Sequence, residues 1–193
     1  MLRIILLVYK MINKLLFYLR SLEGVKYTFW NPESGKPKKD EAPFWIANKA
    51  PPKIEMIKKD GICCAGIANI ARRYMNLQVP GHINGEINKI NFIGGTENWF
   101  TYLKNNNKLS DINYNDKLPE GTLLLQNYND EDQGHVAVII QSSDKGLMDS
   151  EKIHAVSHLE YERYNKVVIE KFKDYPYYKR YTHFCLPEDW LIK

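Results

Sequence analysis

Cysteine is scarce in this chain, with three residues in 193, and two of the three are neighbours at positions 63 and 64. Adjacent cysteines rarely meet the geometry of a mutual disulfide, and an odd count with Cys185 far away is no disulfide framework. Neither a CxxC nor a CxxH spacing occurs, so no zinc module is expected. Reduced thiols in a reducing compartment are the simplest reading. Long apolar runs are missing too. The opening "MLRIILLVYKMINKLLFYL" is broken by Lys10, Asn13 and Lys14, short of the ~20 residues that span a bilayer, and no small-residue cleavage site follows it. Charge of one sign is also lacking: 27 basic against 23 acidic residues leave a net +4. No RNP-like or finger-like pattern accompanies it, so no nucleic-acid partner is expected. There is no internal repeat and no low-complexity tract.

What remains is the composition of an ordinary globular chain, 44% apolar and 26% charged, of a length suited to one domain with a proper core. Ile4, Ile5, Val8, Met11, Ile12, Leu15, Leu16 and Leu19 recur at the helical period, with Arg3, Lys10, Lys14 and Arg20 on the other side. This predicts an amphipathic helix packed on its own domain. The alternative is a membrane-surface contact through residues 1–10, an extension ahead of a single domain over 11–193.

"LEGVKYTFWNPESGKPKKDEAPF" reads as an exposed loop that begins extended at Lys26 to Trp30, and "KAPPKIEMIKKDG" as a second loop on account of its paired prolines. Cys64 to Met75 reads as a helix with Ile67, Ile70, Ala71 and Tyr74 on one face, and Glu97 to Lys104 as a shorter one behind a Thr N-cap. Then "GTLLLQNY", "GHVAVIIQSS", "GLMDS", "KIHAV", "KVVIEKF" and "THFCLP" are short β-prone runs between turns. Helices first and strands second predict an α+β fold with helices packed on an antiparallel sheet.

A thiol at a helix start faces the positive end of the macrodipole and unpaired N–H groups, which favour the thiolate. With a base in reach it becomes a nucleophile, and the first-turn N–H groups next to Ala65 and Gly66 can hold an oxyanion. His135, at the head of an apolar strand after Gly134, is the candidate base, to be oriented by a third group on a neighbouring strand. His82, His158 and His183 read as surface residues, and the tryptophans of "NWF" and "DWL" as core anchors. Asp130, Glu131 and Asp132 read as a solvated loop.

The residues resemble a known family. "CAG" before an apolar helix resembles the C-[SA]-G motif of the NlpC/P60 cysteine peptidases, "GHVAVII" looks like their "HVGIYL" strand, and "LEGVKYTFW" is similar to their "lGxpYxwGG" opening. The order of these three matches the papain-like core of that family, from about Met11 to the C-terminus. The resemblance implies Cys64 as nucleophile, since it directly precedes the small residue and glycine. Cys63 stands where the family usually has Asp, and is read as a packing residue. Tyr27 matches the opening-motif tyrosine near the nucleophile. Placing "LMDS" on the family's third motif puts Asp149 at the orienting position, with His154 of "KIHAV" as competitor.

The activity implied is that of a thiol hydrolase: a cysteine peptidase or amidase, with peptides of cell-wall (peptidoglycan) type as the substrate class and no metal or organic cofactor. No wall-binding module and no export signal are recognised, so an intracellular source, a virion or digestion of engulfed bacteria all fit. Two other readings stand beside it. One is an inactive structural or interaction protein on the same fold. The other is a thiol acyltransferase or lipid amidase that touches membrane through its N-terminal helix.

Overall fold

The apolar stripe at the N-terminus folds as one helix, α1 (Leu2–Arg20), unbroken across position 10. The computed structural model describes residues 2–28, 53–80, 82–83, 86–87, 95–126, 134–157, 160–161 and 163–192. Ile12, Leu15, Leu16 and Leu19 are buried as their spacing demands, whereas Met11 is exposed at the rim of the stripe. The expectations for Arg3, Ile4, Ile5 and Val8 fall outside the described side chains. Arg20 is not on the wet face alone, because its guanidinium donates to Ile140 O at 3.0 Å.

After α1, Lys26 and Tyr27 are extended and bridge Lys166 and Ile62; residues 29–52, with the rest of the expected loop, lie outside the described residues. The second expected loop is corrected: Ile54–Asp60 is helical, α2. Pro51 and Pro52 precede its N-cap Lys53, where a missing N–H costs nothing, and Ile57 is buried to anchor the turn. Helix α3 (Cys64–Tyr74) is the central helix, buried along nearly its whole length. A short hairpin, β1 (His82–Ile83) with β2 (Glu86–Ile87), leads to α4 (Thr96–Asn105), whose N-cap is Gly95 rather than the expected threonine.

The second half supplies β3 (Ser110–Asp111), β4 (Leu123–Gln126), β5 (His135–Gln141), β6 (Glu151–Val156), β7 (Lys166–Lys171), β8 (His183–Cys185) and the terminal α5 (Pro187–Trp190). Five of these runs match expected strands, but "GLMDS" does not: Leu147–Asp149 is a 3-10 turn joining β5 to β6. The main sheet is antiparallel throughout, in the order β3-β8-β4-β5-β6-β7. The expected α+β class is therefore observed.

Both faces of the sheet are covered, which decides where the polar residues lie. Leu123, Leu125, Val136, Val138, Ile140, Ile153 and Ala155 face the helices and join Ile67, Ile70 and Leu19 in the larger core. Leu124, Ala137 and Ile139 face the other way, into a second core of Tyr164, Phe172, Tyr175 and Tyr181. The tryptophans Trp99 and Trp190 anchor the larger core as expected. Their rings meet edge-on at 5.6 Å, and both indole N–H groups are satisfied, by Asn69 Oδ1 at 2.8 Å and Gly121 O at 2.9 Å.

Candidate active site

Strand alternation and helix start bring the site together from distant segments. Gly61 closes α2 with φ 85°, Ile62 pairs with Tyr27, and Cys63 then takes the N-cap position of α3 in extended geometry, so that Cys64 is its first helical residue. The N–H groups of Ala65, Val136 and Cys64 itself bear on the Cys64 sulfur and favour its thiolate. They do not prevail. Burial first, and Cys63 beside it second, push the Cys64 thiol up to about 12. The expected lowering of this thiol by the helix start is not met: loss of hydration around a half-buried sulfur outweighs the helix terminus. Any reaction at Cys64 has to remove the proton as the bond forms.

Val136 N–H places the Cys64 sulfur one residue from His135 along β5. Tyr175 and Tyr181, whose phenols are raised chiefly by burial, also respond to the charge of Cys64. Tyr181 ring contact with His135, at 5.7 Å between centroids, ties those residues into one neighbourhood. Tyr27 packs against the same core as the thiols; burial raises its phenol, and Cys64 and Cys63 add to the shift in that order. Tyr27 and the Val136 N–H next to His135 are thus both close to the start of α3.

Asp149 is not there. It sits in the 3-10 turn after Gln141, at the far end of β5 from His135, a separation of roughly 20 Å at about 3.3 Å per residue. Its carboxylate is 2.6 Å from Lys173 Nζ and 3.8 Å from Lys171 Nζ. The hydrogen bond from Lys173 holds its pKa below the usual carboxylate range. The connection between two antiparallel strands has to lie at the end away from the first strand's start, and the returning strand brings a later residue back. That residue is His154. Its Nδ1 lies 3.0 Å from His135 Nε2, the two histidines being diagonal neighbours on one face of β5 and β6.

Behind His154 is a buried polar network absent from the expectations. His154, with no exposed surface, has its Nε2 2.8 Å from Glu170 Oε1, and Lys152 Nζ is 3.0 Å from the same oxygen. Tyr164 donates its hydroxyl to Glu170 Oε2 at 3.1 Å, and Tyr181 OH is 3.2 Å from His154 Nδ1. The one available signal was Lys152 and His154 at i and i+2 in "KIHAV", which put both on one face; alternation with Ile153 and Ala155 makes that face look solvated. The second core beneath it is what turns it inward.

The wiring is compatible with one ordered set of proton positions. A carboxylate at Glu170 only accepts, and a His154 that donates to it from Nε2 accepts at Nδ1. His135 would then donate Nε2–H to His154 and have Nδ1 as its unprotonated nitrogen, the form of imidazole that can take a proton from a thiol.

Cys63 holds the N-cap position without a side-chain cap hydrogen bond. Burial pushes its thiol up to about 11, opposed by the N–H groups of Gly66, Cys63 and Ala65. A hydroxyl at the same place accepts an N–H more strongly than sulfur. Cys63→Ser is therefore expected to raise stability by about 0.5–1 kcal/mol and, by removing the neighbouring thiol that raises Cys64, not to slow its alkylation; urea titration checks the stability, and a lower midpoint would count against the cap.

His183 meets Asp111 at 3.3 Å and Thr182 at 2.7 Å, away from this network. His82, His158 and the acidic run Asp130, Glu131 and Asp132 have no described side chains. Among the described residues no group of three or more His, Cys, Asp or Glu could hold a metal ion, and no described helix is long and apolar enough to cross a membrane. Comparison of the chain with protein-family models, with curated proteins and with solved structures gave no match.

Proposed function

We propose that the protein is a thiol hydrolase of the papain-like NlpC/P60 type, with Cys64 as nucleophile, His135 as general base and His154 as the residue orienting His135. The observation that carries this reading is the 3.0 Å contact from His135 Nε2 to His154 Nδ1, which fixes the tautomer a base needs beside a helix-start cysteine. Cys64 attacks an amide carbonyl as its proton passes to His135 Nδ1, and the carbonyl oxygen takes negative charge near the first-turn N–H groups. His135 then protonates the leaving amine, and water, deprotonated by the same imidazole, releases the acyl group from sulfur. Peptide amides, including those of cell-wall peptides, are the substrate class that the sequence resemblance favours.

The raised Cys64 pKa favours the second reading, an inactive scaffold on the same fold, so the test must separate the two. Alkylation of Cys64 by iodoacetamide, assigned by mass spectrometry and followed against pH, does so. If His135 removes the proton, the rate reaches a plateau once the imidazole is neutral. His135→Ala then shows only the late rise of a buried thiol whose pKa is about 12. Superimposable profiles for the two proteins would sink the hydrolase reading and leave the scaffold.

A further inference from the structure

Lys152 is the least expected residue in the molecule, a lysine with no exposed surface at the centre of β6. Its Nζ lies 3.1 Å from His154 Nε2 as well as 3.0 Å from Glu170 Oε1, and 4.7 Å from the Tyr175 ring centre. Glu170 stands directly across the ladder from Lys152, on β7, with 8% of its side chain exposed. Tyr164 OH and Arg163 Nη2 approach its second oxygen, at 3.1 and 3.8 Å. Burial pushes Lys152 down to about 8, with Glu170 pulling it back up, and the 3.0 Å ion pair with Glu170 favours its ammonium.

Two groups of opposite sense therefore compete for one ring nitrogen. Glu170 can only accept a proton from His154 Nε2, and the Lys152 ammonium can only donate one to it. We propose that Glu170 and Lys152 set the tautomer of the whole histidine pair, Glu170 as a positioning residue for His135 and Lys152 as the competing donor at the same ring nitrogen, which this carboxylate also engages. With Glu170 in place, both histidines carry Nε2–H. Without it, Lys152 Nζ, 3.1 Å away and a donor as ammonium or as amine, donates to His154 Nε2 and the His154 proton moves to Nδ1. That proton is then donated to His135 Nε2, and the His135 proton moves to Nδ1. Within the two rings no proton is gained or lost, yet His135 can no longer accept one at Nδ1. Tyr181 OH accepts from or donates to His154 Nδ1 in either state and does not decide between them.

The consequence at Cys64 rests on the hydrolase reading, but the tautomers do not, so the two can fail separately. In the full chain with 15N-labelled imidazoles, two-bond proton–nitrogen correlation reads the tautomer of His135 and His154 directly. The wild type and Lys152→Met are expected as Nε2–H at both rings, and Glu170→Leu as Nδ1–H at both. Wrong-tautomer variants of His-based sites lose activity on the order of 10⁴-fold, and Cys64 alkylation in Glu170→Leu is expected to fall by roughly 10²-fold or more. Removing Lys152 as well is expected to recover at least about tenfold of that loss, which the loss of an ordinary packing residue would not allow. Glu170→Gln keeps an acceptor oxygen between two donors and is expected to fold with both rings Nε2–H, so a test survives if Glu170→Leu does not fold. Nε2–H tautomers in Glu170→Leu, Nδ1–H in Glu170→Gln, or a double variant no more reactive than Glu170→Leu would each overturn the proposal. Should His135→Ala leave Cys64 alkylation untouched, the hydrolase reading falls while the tautomer map stands on its own data.

Discussion

Replacing His154 by alanine is expected to lower Cys64-dependent hydrolysis by roughly 10²–10⁴-fold, and replacing Asp149 by alanine to change it by less than about twofold. The contrast follows from geometry. His154 Nδ1 is 3.0 Å from the base, whereas Asp149 spends its carboxylate on Lys173 at the other end of the strand. His154→Ala also strips Glu170 and Lys152 of their shared partner, so a fall in stability accompanies it, and activity alone would not separate the two causes. His154→Gln does. Its amide oxygen can accept from His135 Nε2–H and its NH2 can donate to Glu170, so it is expected to restore most of the lost rate at similar stability. The measurement is kcat/KM on peptide amides beside the Cys64 alkylation profile. Equal damage from the Asp149 and His154 alanine variants would refute the assignment.

The second large effect is expected from a single methyl group. Gly61 has φ 85° and ψ 179°, a region open essentially only to glycine and costing about 1–3 kcal/mol for other residues. A Cβ there would also run into Thr28 Oγ1 and would come within 2.8 Å of Lys26 O. The hydroxyl can turn away, but Lys26 O cannot, because it accepts the Ile62 N–H at 3.1 Å in the clasp that includes Thr28 N–H to Ile62 O at 3.2 Å. Gly61→Ala should therefore destabilise by roughly 3–5 kcal/mol, lowering Tm by about 6–20 °C for a chain of this size. Cys63 and Cys64 follow directly, so Cys64 reactivity is expected to drop even where the variant stays folded. A Tm within about 2 °C of wild type would mean that the loop relaxes freely and that the clasp does not position the thiols.

Sequence periodicity located what local physics controls. The α3 register and the places of Cys64 at a helix start and His135 at a strand start were all legible, because helix start, strand start and burial stripe are short-range features. Pro51 and Pro52 misled because a proline before an N-cap looks, in one dimension, like a proline inside a loop. Asp149 lies apart from His135 for a different reason. The resemblance placed the third site residue on the turn after β5, whereas hairpin geometry returns to the start of β5 only a strand length later, at His154. Glu170 and Lys152 were invisible because a charged residue alternating with apolar ones normally faces water, and only the second core on that face of the sheet reverses the inference.

The order of the sheet has a bearing on when the chain becomes reactive. Cys64 is made early, His135 later, and β6 and β7, which carry His154, Lys152 and Glu170, later still. Because β7 closes the ladder next to β6 and bridges Lys26 through Lys166, a ribosome-bound chain stopped before Lys166 holds the thiol without the carboxylate that sets its base. Strand pairings this distant in sequence form slowly and late. On the hydrolase reading proposed above, the nascent thiol would therefore lack its assembled base until the C-terminal strands have docked.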